Sequence, residues 1–314
     1  MNLSHVVNNY ITFKQSMGMS FKSQAVILRS FCRALGDINI TEVKPESTLA
    51  FISGKGSVTT FWHAKFITLR GFYRFAISRE YVDSSPLPTI IPKRPASSPP
   101  YIYTKDELQR LLAATDTLET PLSPLRASTF RTLLLTLYGT GFRIKEALSL
   151  TLNNVDLLDS LITVQKTKFY KTRIVPIGPA LTDSLELYDS KRRHLPLPLG
   201  ENSAFFVTRT GNGICYDQVN DTWQILRKYA DIHRKDGGRY QPRIHDFRAT
   251  FAVHRLIAWY HEGANVQRML PLLATYLGHV DISGTQCYLR MIPELLDEAL
   301  HRFEQYALPE VNHE

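Results

Sequence analysis

Residues 139–177 read GTGFRIKEALSLTLNNVDLLDSLITVQKTKFYKTRIVPI. Within this stretch a helical rhythm gives way to two short β-rich runs, and that change decides the fold class. Apolar residues keep helical spacing through 127–138 and 144–150. Then LITV at 161–164 and RIVPI at 173–177 read as strands joined by a polar, lysine-rich turn. The pattern predicts a hairpin set inside a mostly helical domain, hence a mainly α fold with a small β-sheet (α+β).

Toward the N-terminus, Thr104 with Glu107 three residues on, ahead of Leu108, Leu111 and Leu112, forms a capping box that starts this domain. Before it, residues 84–100 (SSPLPTIIPKRPASSPP) hold six of the seventeen prolines. Such a composition favours an extended connector over helix or sheet. The expected organisation is a first domain at 1–83, a linker at 84–100 and a second domain at 101–314. In the first domain Val6, Tyr10 and Phe13, then Ile27, Phe31 and Leu35, then Phe66, Leu69, Phe72, Tyr73 and Ile77 recur at helical spacing. This reads as a helical bundle whose last helix, about 59–80, carries Lys65, Arg70, Arg74 and Arg79 on a phosphate-facing or simply solvated side. Toward the C-terminus helices are expected near 217–231, 246–260, 264–276 and 294–307.

At 314 residues, 44% hydrophobic and 21% charged, the chain can bury real cores and is not disordered by composition. Its net charge of +8 attracts polyanions, DNA among them. Cys32, Cys215 and Cys287 are an odd number without C-x-x-C spacing, which argues against a disulfide framework or a zinc site and fits a reducing compartment. The opening residues lack a secretion signal and no run reaches 18 apolar residues, so a cytoplasmic protein with no membrane partner is expected. His261-Glu262 lacks the second histidine of H-E-x-x-H, G-x-S-x-G is absent, and no cofactor or metal is expected.

Breaking a phosphodiester by transesterification needs a nucleophile, an acid for the departing sugar oxygen, and fixed positive charge around phosphorus. Arg143 follows two glycines at a helix start, where its guanidinium can fork onto two phosphate oxygens or pair with Glu146 or Glu119. The turn offers Lys166, Lys168 and Lys171, among which composition does not choose. In RIHDFRATFAVH (243–254), His245 and Arg248 are three apart at a helix start and project toward one target. In LPLLATYLGHVDISGTQCYLRM (270–291), Gly278 ends a helix, His279 follows it, and Tyr288 stands nine residues beyond. Taken singly, each histidine has a structural reading as cap or core residue, and Tyr288 has one as a buried core tyrosine.

In their order these residues resemble the phage integrase family of tyrosine recombinases. The family shows G-x-R-[IV]-x-E, a hairpin lysine before R-[LI]-V-P, H-x-x-R, L-G-H, and a tyrosine nine residues on. Here those are Arg143 with Glu146, Lys168 before Arg173-Ile174-Val175-Pro176, His245 with Arg248, Gly278-His279, and Tyr288. The resemblance implies a helical SAM-like core-binding domain followed by a tyrosine-recombinase catalytic domain, clamped around double-stranded DNA. It further implies that Arg143 and Arg248 hold the scissile phosphate, Lys168 protonates the leaving 5′ oxygen, His245 and His279 assist, and Tyr288 attacks to give a 3′-phosphotyrosine. Four protomers on two DNA sites are implied as well, with the last helix docked either on a neighbour or within its own chain. Two departures stand out: Ala249 replaces a histidine common after the H-x-x-R arginine, and the Arg248 to His279 interval is long. Within that interval RMLPLLATYLGH resembles transposon-associated recombinases. Two rival readings are a type IB topoisomerase, which relaxes DNA as a monomer, and a DNA-binding regulator with a silent active site.

Overall fold

The computed structural model describes residues 1–291 apart from 55, 97, 122, 166–171 and 239. The chain forms two compact units, Met1–Ser97 and Ser98–Glu314, dividing within the proline-rich stretch. Among the described residues no helix is long and apolar enough to cross a membrane.

Among its described residues the first unit packs the helices α1 (Leu3–Ser16), α2 (Lys22–Leu35), α3 (Pro45–Ser53) and α4 (Thr60–Ser78). Val6, Tyr10, Phe31, Leu69, Phe72 and Tyr73 fill their shared core. Helical spacing also nominated Phe13 and Ile77, but both are exposed. The ring of Phe13 instead stacks on Phe75 at the rim, 5.3 Å between centroids. Spacing marks a stripe, and residues at its ends fall outside whatever the neighbouring helices cover. Of the cations expected to line one side of α4, Lys65 is committed internally: its Nζ donates to the Phe51 carbonyl at 2.6 Å and sits over the Phe51 ring. Arg70, Arg74 and Arg79 are exposed.

The second unit opens with α5 (Lys105–Ala114), capped as the sequence predicts: Thr104 Oγ1 accepts from the Glu107 amide and a Glu107 carboxylate oxygen accepts from the Thr104 amide. Next come α6 (Ala127–Thr140) and the short α7 (Ile144–Leu148). The strands β1 (Val155–Asp156), β2 (Leu161–Val164) and β3 (Arg173–Pro176) make an antiparallel sheet in that order, with Ile162 opposite Val175. The predicted hairpin is β2–β3; the two-residue β1 is too short to show alternation. Then follow α8 (Pro179–Arg192), α9 (Tyr216–Tyr229), α10 (Phe247–His261), α11 (Val266–Leu277) and α12 (Ser283–Gln286). The helix expected near 294–307 lies outside the described residues.

The core of this unit gathers on α6, whose Phe130, Leu133, Leu134 and Leu137 are buried, with α8 and α10 packed against it. Each such side chain contributes roughly 1.5–3 kcal/mol by leaving water. A satellite cluster joins Ala252, Val253 and Leu256 of α10 to Leu270, Leu273 and Leu277 of α11, and includes Tyr288. Side chains from elsewhere hold the turn entering α10: Tyr103 Oη donates to the Arg243 carbonyl at 2.9 Å, and the Trp223 indole to Pro242 at 3.2 Å. The turn that leads into the start of α10 is thereby fixed.

Candidate active site

Where α6 ends, Gly141 adopts φ 63°, the left-handed region that suits glycine, and turns the chain into α7. No other residue fits that place. A Cβ there would lie 2.6 Å from the Phe251 ring and 2.7 Å from Leu277. The turn sets Arg143 as the residue before α7. Its amide donates to Glu146 Oε2 at 3.0 Å and its Nη1 to Glu146 Oε1 at 2.7 Å. The pairing with Glu146 weighed from sequence therefore exists, whereas Glu119 faces Arg209. Even so, 33% of the Arg143 side chain remains exposed.

Arg248, in the first turn of α10, is buried at 4% exposure. A lone buried guanidinium is costly, and this one is balanced by two helix ends. Nη1 donates to the Gly141 carbonyl and Nη2 to the Leu277 carbonyl, each at 2.8 Å. Those are terminal carbonyls of α6 and α11, left without helical partners and carrying the negative end of each helix dipole. Burial, together with the positive charge of Arg143, lowers its pKa to about 10, so it stays cationic at neutral pH. Five N–H donors on the group mean that two carbonyls do not exhaust it.

His245 sits in a single 3-10 turn, Ile244–Asp246, and is exposed. Desolvation by the protein around it, then the charges of Arg248, Arg243 and Arg143, push its pKa down, with Asp246 opposing. His279 follows Gly278, the left-handed cap of α11. Its Nδ1 lies 2.7 Å from the Thr285 hydroxyl, which leaves Nε2 for a second partner. Burial, Arg248 and Arg143 lower its pKa to about 4, so the ring is neutral at pH 7.

Tyr288 is 8% exposed, and its ring centroid is 6.2 Å from that of His279. Burial raises its pKa while Arg248 and Arg143 oppose the rise, so the phenol is protonated at neutral pH yet feels both guanidinium charges. It is at once a core tyrosine and a phenol held beside two cations. Five of the six residues read from the sequence thus share one electrostatic neighbourhood. The sixth, Lys168, lies outside the described residues; the hairpin is described to Gln165 and again from Thr172.

Two partners in this site carried no catalytic sign in the sequence. Thr285 reads as one small residue among several. Arg173 served there only to mark the R-I-V-P register, yet its Nη2 donates to Glu146 Oε2 at 2.9 Å and its Nε to the Tyr276 carbonyl at 3.1 Å.

The lowered histidines give the fold a pH dependence. An unfolded histidine takes up its proton near pH 6.5, whereas folded His279 resists until about pH 4. Between those values the unfolded chain binds more protons, so stability falls as pH drops from 6.5 toward 4. Glu146, held at about 2 against burial by bonds from Arg173 and Arg143, contributes stability above about pH 4.5 that is lost only below it. The midpoint of thermal unfolding should therefore decline from pH 6.5 to 4, and His279→Gln should flatten that decline in part, since His245 and His254 are lowered too. An equally steep decline in the variant would mean that His279 is not held neutral.

Residues 102–294 match the profile of the phage integrase family. The chain belongs to this family, the tyrosine recombinases. It is 32% identical over 301 residues to a putative integrase/recombinase, y4rE, of Sinorhizobium fredii, covering 96% of this chain and 95% of that protein. It is 28% identical over 274 residues to the tyrosine recombinase XerC of Bacillus subtilis, covering 85% and 83%. A lambda integrase tetramer bound to a Holliday junction shares the fold, with a TM-score of 0.65 at 15% identity over 90% of this chain and 78% of that one. Tyrosine recombinases are DNA strand cleaving and joining enzymes, and the mainly helical fold with a small sheet is theirs.

Proposed function

We propose that this recombinase exchanges strands between two duplex DNA sites, using Tyr288 as nucleophile and Arg143, Arg248, His245, His279 and Lys168 as its catalytic set. One observation supports the assignment: Tyr288 is buried in the cluster that includes Leu277, whose carbonyl Arg248 binds at 2.8 Å, with its ring centroid 6.2 Å from that of His279. Arg143 and Arg248 hold the non-bridging oxygens and offset the negative charge that grows on phosphorus. The Tyr288 oxygen forms a bond to phosphorus as the bond to the 5′ oxygen breaks. The phenolic proton passes to a neutral histidine, and the 5′ oxygen takes a proton from Lys168. The 3′-phosphotyrosyl ester keeps the energy of the broken bond, so a free 5′ hydroxyl of another strand can reverse the step.

Joining two sites calls for several protomers on DNA, and the fold is shared with an integrase seen as a tetramer on a Holliday junction. The relatives' names favour recombination over relaxation of a single duplex by a monomer. The test is a plasmid carrying two copies of the native flanking DNA, incubated with the purified protein. Recombinant junctions are expected, with binding that weakens steeply as salt rises because several phosphates are neutralised. Relaxed plasmid without recombinant junctions would replace this reading with a topoisomerase; no adduct and no strand exchange would replace it with a silent DNA-binding protein.

A further inference from the structure

Resting on that reading, we infer that Arg173 is a positioning residue that neutralises Glu146, so that the charge of Arg143 stays available to the scissile phosphate. Glu146 is 8% exposed at its side chain, and its carboxylate lies between the two arginines. Oε1 accepts from Arg143 Nη1 at 2.7 Å and from Arg173 Nη1 at 3.3 Å. Oε2 accepts from the Arg143 amide at 3.0 Å and from Arg173 Nη2 at 2.9 Å. Two bonds to each oxygen fill the carboxylate's accepting capacity.

The two arginines differ in what else they face. Arg173 is 12% exposed, against 33% for Arg143. Its Nε is bound to the Tyr276 carbonyl in the last turn of α11, and its guanidinium lies 5.5 Å from the centre of the Phe142 ring. It also runs against Gly278, where a Cβ would come within 2.8 Å of Nη1 and 3.0 Å of Cζ. The glycine of L-G-H therefore serves two needs, the left-handed turn and room for this arginine. Arg173 is thus seated inward, while Arg143 keeps the open side. Counting charges, two arginines and one carboxylate leave a net +1, which lies on the exposed member. Without Arg173, Glu146 and Arg143 form a neutral pair, and the phosphate meets one cation fewer.

The separating experiment measures the rate of covalent adduct formation on a nicked suicide duplex, together with DNA affinity and thermal unfolding, for four proteins. Arg173→Gln should cleave roughly a hundredfold more slowly than wild type, the scale of losing one preorganised charge, with DNA affinity within about threefold because many other phosphates are still contacted. Adding Glu146→Gln removes the carboxylate that Arg173 had neutralised and returns the net charge to +1. The double variant Arg173→Gln/Glu146→Gln should therefore regain at least about tenfold in rate. Arg173→Lys keeps the charge without the fork and should stay within about tenfold of wild type. A role confined to packing on Gly278 and Phe142 would not be rescued by a change at Glu146. Wild-type rate in Arg173→Gln, or no rescue in the double variant, overturns the inference. Should Arg173→Gln unfold below the assay temperature, Arg173→Lys decides: a rate within tenfold supports the charge role, and a hundredfold loss in a folded protein overturns it. Absence of adduct in wild type would instead refute the strand-cleavage reading itself.

Discussion

Tyr288→Phe is expected to abolish the covalent protein–DNA adduct, a loss on the order of 10⁴-fold or more, while duplex affinity stays within about twofold. The substitution removes one oxygen from a ring that is already packed among Leu256, Leu273 and Leu277, so the shape of the site is kept. Arg248 keeps both of its carbonyl partners, Gly141 and Leu277, because neither bond involves the phenol. Stability should accordingly change by no more than about 1 kcal/mol, the net worth of an ordinary hydrogen bond. Chemistry is another matter. Phenylalanine offers no oxygen to phosphorus, and the backbone at this position is set by the Tyr288 amide, which donates to the Thr285 carbonyl at 3.0 Å just beyond α12. Denaturing electrophoresis of a labelled suicide substrate reads the adduct, and gel shift reads the affinity. Adduct persisting at wild-type level in this variant would remove Tyr288 as nucleophile.

The same tyrosine marks how far a sequence can be read. Its candidacy as nucleophile was legible from the resemblance to the family: an arginine at a helix start, H-x-x-R, L-G-H, and a tyrosine nine residues on follow one another in the family's order. Its surroundings were not. Burial within the cluster shared by α10 and α11 arises from which faces of those helices meet, and periodicity along one helix does not say what covers it. The capping box at Thr104 and Glu107 was legible because its partners are three residues apart, and local geometry alone makes the bonds. Arg173 lies at the opposite extreme. It bonds Glu146 across 27 residues and Tyr276 across 103, and nothing near it in the chain distinguishes it from the cations of the adjoining turn. Phe13 and Ile77 erred the other way, apolar and in phase yet exposed, because the bundle does not reach the ends of their stripes. The short β1 and the helix α8 escaped as well, β1 through its two-residue length and α8 through a mixed pattern that begins only at Gly178-Pro179.

Arg248→Lys should damage both stability and cleavage, and that joint loss distinguishes it from Tyr288→Phe. The guanidinium bridges the terminal carbonyls of α6 and α11 while facing the phenol, a task that depends on its planar fork. An ammonium is a point donor on a thinner stem. Reaching one carbonyl, it leaves the other buried and without a donor, at a cost of about 1–3 kcal/mol. Burial that already lowers the arginine to about 10 acts on a lysine that starts about two units lower, near 10.4, so its charge is less secure at the pH of reaction. With one less preorganised donor at the phosphate, cleavage should fall by about 10²–10³-fold. Urea unfolding should show a loss of roughly 2 kcal/mol, set mainly by the orphaned carbonyl. The two effects need not scale together, because the first is felt only when negative charge gathers on phosphorus and the second is present with no DNA bound. If Arg248→Lys were as stable as wild type and cleaved within tenfold of it, the fork between the two helix ends would be dispensable. The charge at this place would then suffice whatever group carried it.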